Sequence, residues 1–464
     1  MCSALALLFV GCAVGPNYVR PTAETPASYK EAGDFRPAQP ADQFAKGKWW
    51  EIYDDALLNT LEEQVGVSNQ NLKAAQARFA EARAAIRTSR AGFFPTVTGG
   101  VALSRTRLSE HHPPSSFPTF NDFQLPVDVS YEPDVWGRVR RTVEAARSEA
   151  QASAADVASV ELSLRAELAL DYFQLRGVDS EKQLLDSTVT AYEKALELTQ
   201  SRFSGGLASA VDVAQAETQL ETTRAQAVEL DADRAALEHA LAVLTGQAPY
   251  QFSVPRSPLA AAPPSVPPGL PSLLLERRPD IAAAERRVQE ANAQIGVARS
   301  AWFPLVTLSG TGGFESSRLG TLLQGPAGFW SLAGSAAELV FDGGQRRGLT
   351  EAARAAYDQS VDTYRQTVLT AFQETEDNLA ALRVLEEVAR TQDAAVAAAQ
   401  RSLSLSNTRY QGGVASYLEV VTAQSAALAN ERTAVDILTR RVVASVLLVK
   451  ALGGGWNASQ IPPL

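Results

Sequence analysis

Along residues 345–410 apolar side chains recur at every seventh position: Val361, Val368, Leu382, Ala389, Val396, Leu403 and Tyr410, with Thr375 the one polar member of the row. A seven-residue stripe sustained this far predicts a single long helix packed as a coiled coil. A second proline-free stretch, Arg138 to Phe203, is of the same kind. It spans 203 − 138 + 1 = 66 residues, or roughly 100 Å at about 1.5 Å per residue. Its stripe is less regular, and Gly177 predicts a kink or bulge midway. Both long helices run into the same punctuation, Arg202-Phe203-Ser204-Gly205-Gly206-Leu207-Ala208-Ser209 and Arg409-Tyr410-Gln411-Gly412-Gly413-Val414-Ala415-Ser416. The paired glycines supply a helix stop with positive φ, and Ser209 and Ser416 are N-caps for returning helices. The offset is 409 − 202 = 207 residues, and it also relates Glu419 to Asp212 and Arg383 to Arg176. The chain is therefore a tandem duplication of one hairpin design.

Elsewhere the period drops to two. Phe123, Leu125, Val127, Val129 and Tyr131 alternate with Gln124, Asp128, Ser130 and Glu132, while Val306, Leu308 and Phe314 alternate with Thr307, Ser309 and Glu315. This is the signature of strands with one apolar face. Phe93-Phe94-Pro95 and Trp302-Phe303-Pro304 end the helices that lead in, and a strand near Phe329 to Phe341 completes the second hairpin; its facing is ambiguous at Glu338. Each repeat thus yields one two-stranded hairpin, long enough to cross a bilayer when tilted. Four strands cannot close a barrel, and open edges in lipid leave backbone groups unpaired at several kcal/mol each. A homo-oligomer follows, with eight strands from two chains or twelve from three.

The expected divisions are 1–11 signal peptide, 12–56 extended strap, 57–247 first repeat, 248–279 proline-rich crossover, 280–453 second repeat and 454–464 short tail. The helices over Leu57–Ala91 and Ile281–Ala301 are the candidates to stack on the ends of the returning segments, which are about half as long as the rods. Among the signals at the N-terminus, the apolar run Ala4–Val10 followed by Gly11-Cys12-Ala13 has the shape of a bacterial lipoprotein signal. It predicts cleavage before Cys12 with lipid on its sulfur, and no Lys or Arg precedes the run, so the true start is expected upstream. Ala13, in place of Asp, points to the outer membrane.

Composition removes other classes. A net charge of −10 and pI of about 5.1 leave no basic stripe for nucleic acid. The only cysteines are Cys2 and Cys12, and the histidines His111, His112 and His239 lack metal-ligand spacing. No catalytic constellation, phosphate loop or cofactor motif is present, so neither an enzyme nor a metal site is expected.

Taken together, Gly11 to Tyr18, Trp49-Trp50, Trp136-Gly137-Arg138, Gly269 to Leu274 running into Arg277-Arg278-Pro279-Asp280-Ile281, and Phe341-Asp342-Gly343-Gly344 resemble the lipoprotein branch of TolC-type outer-membrane factors over essentially the whole mature chain. The resemblance implies a mostly α fold with a membrane β-barrel part. It implies a homotrimer with a twelve-stranded barrel in outer-membrane lipid, a periplasmic helical tunnel and a belt around its middle. It also implies two partners, a periplasmic adaptor and an inner-membrane RND-type pump, which together open a closed tip. Gly205, Gly206, Gly412 and Gly413 become adaptor-docking tips. Tyr417, Leu418, Glu419 and Thr422, with Asp212 of the first repeat, match the gate, but Thr422 and Ser425 stand where relatives often carry Asp and Arg. Leu418 is then a hydrophobic plug and Glu419 with Asp212 a ring of charge; alternatively both carboxylates only complement a helix dipole. The expected function is passive efflux of drugs or other toxic small molecules. A protein-secretion duct and a lipid-anchored periplasmic coiled-coil scaffold are the alternatives.

Overall fold

The computed structural model describes residues 13–32, 47–109, 111, 119–260, 262–264, 266 and 269–464; Cys2, Cys12 and His112 lie outside them. Two helices come first, α1 (Ala56–Ser68) and α2 (Gln70–Ala91), followed by strands β1 (Thr96–Gly99), β2 (Ala102–Arg107) and β3 (Thr119–Tyr131). The rod α3 (Arg138–Ser204) and its return α4 (Ala210–Leu244) complete the first half. After the crossover come a turn of helix, α5 (Leu274–Arg277), then α6 (Pro279–Ser300), β4 (Leu305–Ser316), β5 (Gly328–Ala337), the second rod α7 (Gln345–Gln411) and its return α8 (Tyr417–Ala451). The fold is mostly α, and the two halves repeat one plan.

Both rods are 67 residues long, and both returns are 35. The remaining length is covered end to end by α2 and α6, 22 residues each. At one junction Asn69, the N-cap of α2, donates from Nδ2 to Leu244 O at 2.8 Å and accepts at Oδ1 from Leu72 N at 3.0 Å. At the other, Arg278 precedes α6 and donates to Ala451 O at 3.0 Å, where α8 ends. The single segment expected over Leu57–Ala91 is therefore two helices. Asn69 turns extended (φ −61°, ψ 127°) so that its amide can cap one helix and receive another.

The heptad row of α7 points inward. Val361, Val368 and Tyr410 are buried, and Thr375 is fully buried with its hydroxyl returned to Ala371 O at 2.9 Å. That local bond is how a polar residue occupies a core position. Gly177 does not interrupt α3, which stays helical through it. It lies against α8 so closely that a Cβ there would meet Thr439 Oγ1 at 2.5 Å. The glycine marks a tight helix crossing.

The strands form one antiparallel sheet in the order β1/β2, β3, β4, β5. β1 and β2 pair with β3 in a single register, Gly99 opposite Val127 and Ala102 opposite Gln124. The ladder lapses between them because Pro126 has no N–H to donate. Across the sheet Tyr131 faces Leu308 and Leu125 faces Phe314, so the apolar sets of both repeats share one side. Ser130 with Ser309 and Gln124 with Glu315 share the other. β5 ends at Ala337, which takes Glu338 out of the sheet; it pairs instead with Arg346 at 2.8 Å.

A belt wraps the rods at mid-height. From α3, Arg176 donates to Pro255 O of the crossover at 2.7 Å and to Tyr172 Oη at 3.0 Å, and Tyr172 Oη donates to Asp55 at 2.6 Å. Asp179 accepts from Arg234 Nε at 2.9 Å and from Ser257 N at 3.1 Å. In the second half Arg383 reaches Glu31 of the strap at 2.5 Å, and Glu376 accepts from the backbone N–H of Lys30 at 2.7 Å and Glu31 at 2.9 Å. Trp49, Trp50 and Tyr53 fill the core beneath. Because the α3–α8 crossing leaves no room at position 177, Gly177→Leu is expected to cost about 1–3 kcal/mol or more. In thermal unfolding of the purified protein, Thr439→Ala should restore part of the loss seen with Gly177→Ala. A Gly177→Leu protein as stable as the parent would contradict the close packing.

Candidate gate at the helical tips

The far ends of the rods carry the sequence-expected tip and gate residues. Each tip closes by the same double bond pattern: Leu207 N to Arg202 O at 2.8 Å with Gly206 N to Phe203 O at 2.9 Å, and Val414 N to Arg409 O with Gly413 N to Tyr410 O, both at 3.0 Å. This is a Schellman stop. Of each glycine pair only the second has positive φ, 75° at both Gly206 and Gly413; Gly205 and Gly412 stay right-handed. No atom crowds a Cβ at Gly206 or Gly413, so backbone conformation alone selects glycine there.

The returning helices start differently. Ser209 Oγ accepts from Asp212 N at 3.2 Å while Asp212 accepts from Ser209 N at 2.8 Å, a complete capping box. Asp212 is thereby committed to its own helix. Ser416 makes no such side-chain bond, and its mate carboxylate Glu419 lies 3.8 Å from Arg409 across the turn, both half exposed. An ion pair this open contributes about 0–1 kcal/mol.

Tyr417, expected at the constriction, faces into the protomer. It is 2% exposed and packs edge-to-face on Tyr410, ring centroids 5.2 Å apart, with Val420 and Ala216 around them. Burial, and next the neighbouring Tyr410, push its phenol up to about 12. Leu418, by contrast, is 56% exposed, and the open face of α8 continues through Thr422 and Ser425. Thr422 Oγ1 returns to Leu418 O at 2.8 Å, and Ser425 Oγ lies 3.4 Å from Gln219 Oε1.

Two residues escaped the sequence reading. Val211, one repeat before Leu418 (418 − 207 = 211), is 63% exposed on α4. The duplication offset alone locates it. Arg202 joins the two tips: its guanidinium stacks over Tyr410 at 4.7 Å and donates to Gln411 O at 3.2 Å. Its repeat mate Arg409 pairs with Glu419, but Arg202 has no free carboxylate in the corresponding place because the capping box occupies Asp212. Among the described residues no His, Cys, Asp and Glu side chains converge as a metal site, and no helix is long and apolar enough to cross a membrane.

Comparison with known proteins agrees with this geometry. The family model for outer membrane efflux proteins matches residues 61–247 and 270–454. The toluene efflux pump outer membrane protein TtgF of Pseudomonas putida is 32% identical over 474 residues, covering 99% of this chain and 98% of its own. OprJ, an outer membrane protein of Pseudomonas aeruginosa, is 31% identical over 458 residues, covering 98% and 95%. Among solved structures, the outer-membrane channel OprN superposes with a TM-score of 0.89 at 30% identity over 96% of this chain and 100% of that one. The open state of MtrE from Neisseria gonorrhoeae gives 0.84 at 27% over 96% and 99%. With both repeats matched by one family and full-length likeness in sequence and fold, the chain belongs to the outer membrane efflux proteins.

Proposed function

We propose that three copies of this chain form a passive duct that carries toxic small molecules across the outer membrane, fed from the periplasm by an adaptor and an inner-membrane pump. The observation that carries this reading is the pairing of a two-faced sheet, open at both edges, with rods whose flanks are open on the same sides. β1, which follows α2, and β5, which leads into α7, are the sheet edges. The rod α3 packs against α2 and α4 and against α6 and α8, and α6 and α8 in turn pack on α7, which leaves α7 at the far flank. A head-to-tail ring satisfies both layers with one rotation, and three copies give twelve strands. The scaffold reading leaves the two-faced sheet unused. The efflux reading is favoured over protein secretion because the matching family is that of outer membrane efflux proteins and TtgF is named for an efflux pump.

The gate is held by Arg202 on Tyr410, with Leu418 and Val211 as apolar rings at the mouth, and the tips at Gly205, Gly206, Gly412 and Gly413 receive the adaptor. Stacking of a cation on an aromatic ring contributes about 0.5–2 kcal/mol. Arg202→Ala is therefore expected to raise single-channel conductance in planar bilayers, and Leu418→Gly to raise it further. If both traces match those of the parent, the gate lies elsewhere.

A lipid on Cys12 fits the course of the strap. Val14 N donates to Trp136 O at 3.0 Å, and Ala13 packs on Gly137, at the root of the strands. Mass spectrometry of the N-terminal peptide from outer membranes should find diacylglycerol and an acyl group on Cys12, and an unmodified peptide refutes the assignment.

Relatives are named for efflux of toluene, solvents and antibiotics, which makes these the first cargoes to test. A deletion strain should lose resistance to at least one such class and regain it with the wild-type gene. If resistance is unchanged throughout and proteins are missing from the medium, secretion is the function.

A further inference from the structure

The membrane face of the sheet is not flat. Opposite residues form three rows on its apolar side: Pro95, Tyr131 and Leu308 nearest the helices, then Val97, Val129, Gly310 and Leu332, then Val127, Gly312 and Trp330. Gly310 and Gly312 put no side chain on β4, so the middle strand becomes the floor of a groove. Val127, Val129 and Tyr131 form one wall, Trp330 and Leu332 the other, and the cavity is about 740 Å³. Trp330 is 78% and Leu332 79% exposed. From Tyr131 to Val127 the groove runs 131 − 127 = 4 residues, about 13 Å at about 3.3 Å per residue. One leaflet of a hydrocarbon core roughly 30 Å thick is about 15 Å deep.

We infer that this groove seats an acyl chain carried by Cys12. The inference rests on the lipidation of Cys12 proposed above. Its support is position. Ala13 packs on Gly137, and Val14 is bonded to Trp136, five residues after Tyr131 at the groove's lower end (136 − 131 = 5). Fully extended, those five residues span at most about 18 Å. Ala13, next in sequence to Cys12, is therefore held within that reach of the groove's lower end, and a chain held by its own protein enters at a high effective concentration relative to a free lipid.

The test uses the full-length trimer in native outer membranes. The diazirine analogue of leucine replaces Leu332 in the groove or, as a control, Leu103, which lies on the same apolar face of β2 but outside the groove. After illumination, mass spectrometry identifies the adduct. Expected is a cross-link from position 332 to the protein's own N-terminal lipopeptide, lost in Cys12→Ala and lost in Gly312→Leu, whose side chain fills the floor. Position 103 should capture only phospholipid. A Cys12 peptide that carries lipid while position 332 captures only phospholipid overturns the groove assignment and leaves the lipidation standing. A Cys12 peptide without lipid overturns both.

Discussion

The organising constraint is that two rods of 67 residues must be covered along their whole length by helices that are each too short. A return of 35 residues and a lead-in of 22 together approach the rod's length only if they meet end to end. Meeting end to end is costly, because the last carbonyls of one helix and the first N–H groups of the next both lack intrahelical partners. Asn69 and Arg278 resolve this in the two repeats by donating to the final carbonyls of α4 and α8. The junctions fall at mid-height, and that is where the chain has to leave and enter each half. The belt forms at that level for this reason. Both joints are buried, with Asn69 and Arg278 each less than a tenth exposed.

The belt also shows how a duplicated sequence diverges without losing its plan. Arg176 and Arg383 are repeat mates, and both leave their rods outward to tie down a belt segment. One binds a carbonyl of the crossover and the other a carboxylate of the strap. The same position keeps its mechanical role while its partner changes, since a guanidinium serves either acceptor. The Arg176 site is the more buried of the two, and there Asp179 pairs with both Arg176 and Arg234. That satisfaction matters because a buried charge left unpaired costs several kcal/mol.

Much of this was legible in the sequence, for physical reasons that differ by element. Long heptad rows and period-two alternation repeat over many residues, so they revealed the rods, the two-faced strands and the duplication. Single-residue events were harder. Asn69 lies in an uninterrupted helical pattern, and only its end-on partner Leu244 explains the break. Pro126 sat unnoticed inside a strand because its neighbours keep the alternation. Gly177 was read as a kink because glycine weakens a helix locally, whereas its contact with Thr439 is a tertiary fact. Tyr417 looked like a gate residue from its place beside Leu418, yet successive helical positions point about 100° apart. One neighbour faces out and the other packs inward.

The tips extend this argument from fold to conduction. The first return begins with a closed capping box, so Asp212 and Ser209 bind each other and the first hairpin is internally complete. The second return lacks that box, and Glu419 makes only an exposed pair with Arg409. What holds the second tip is supplied from the first, through the guanidinium of Arg202 over Tyr410 and its bond to Gln411 O. Tyr410 in turn packs on Tyr417, which anchors the start of α8. The two coiled coils are thus joined at the tips by this contact and, further along, by Ser425 on Gln219 and Arg432 on Glu181. Leu418, exposed, projects from the same α8 turn as Tyr417, so in the gate proposed above, opening the mouth would break the Arg202 contact.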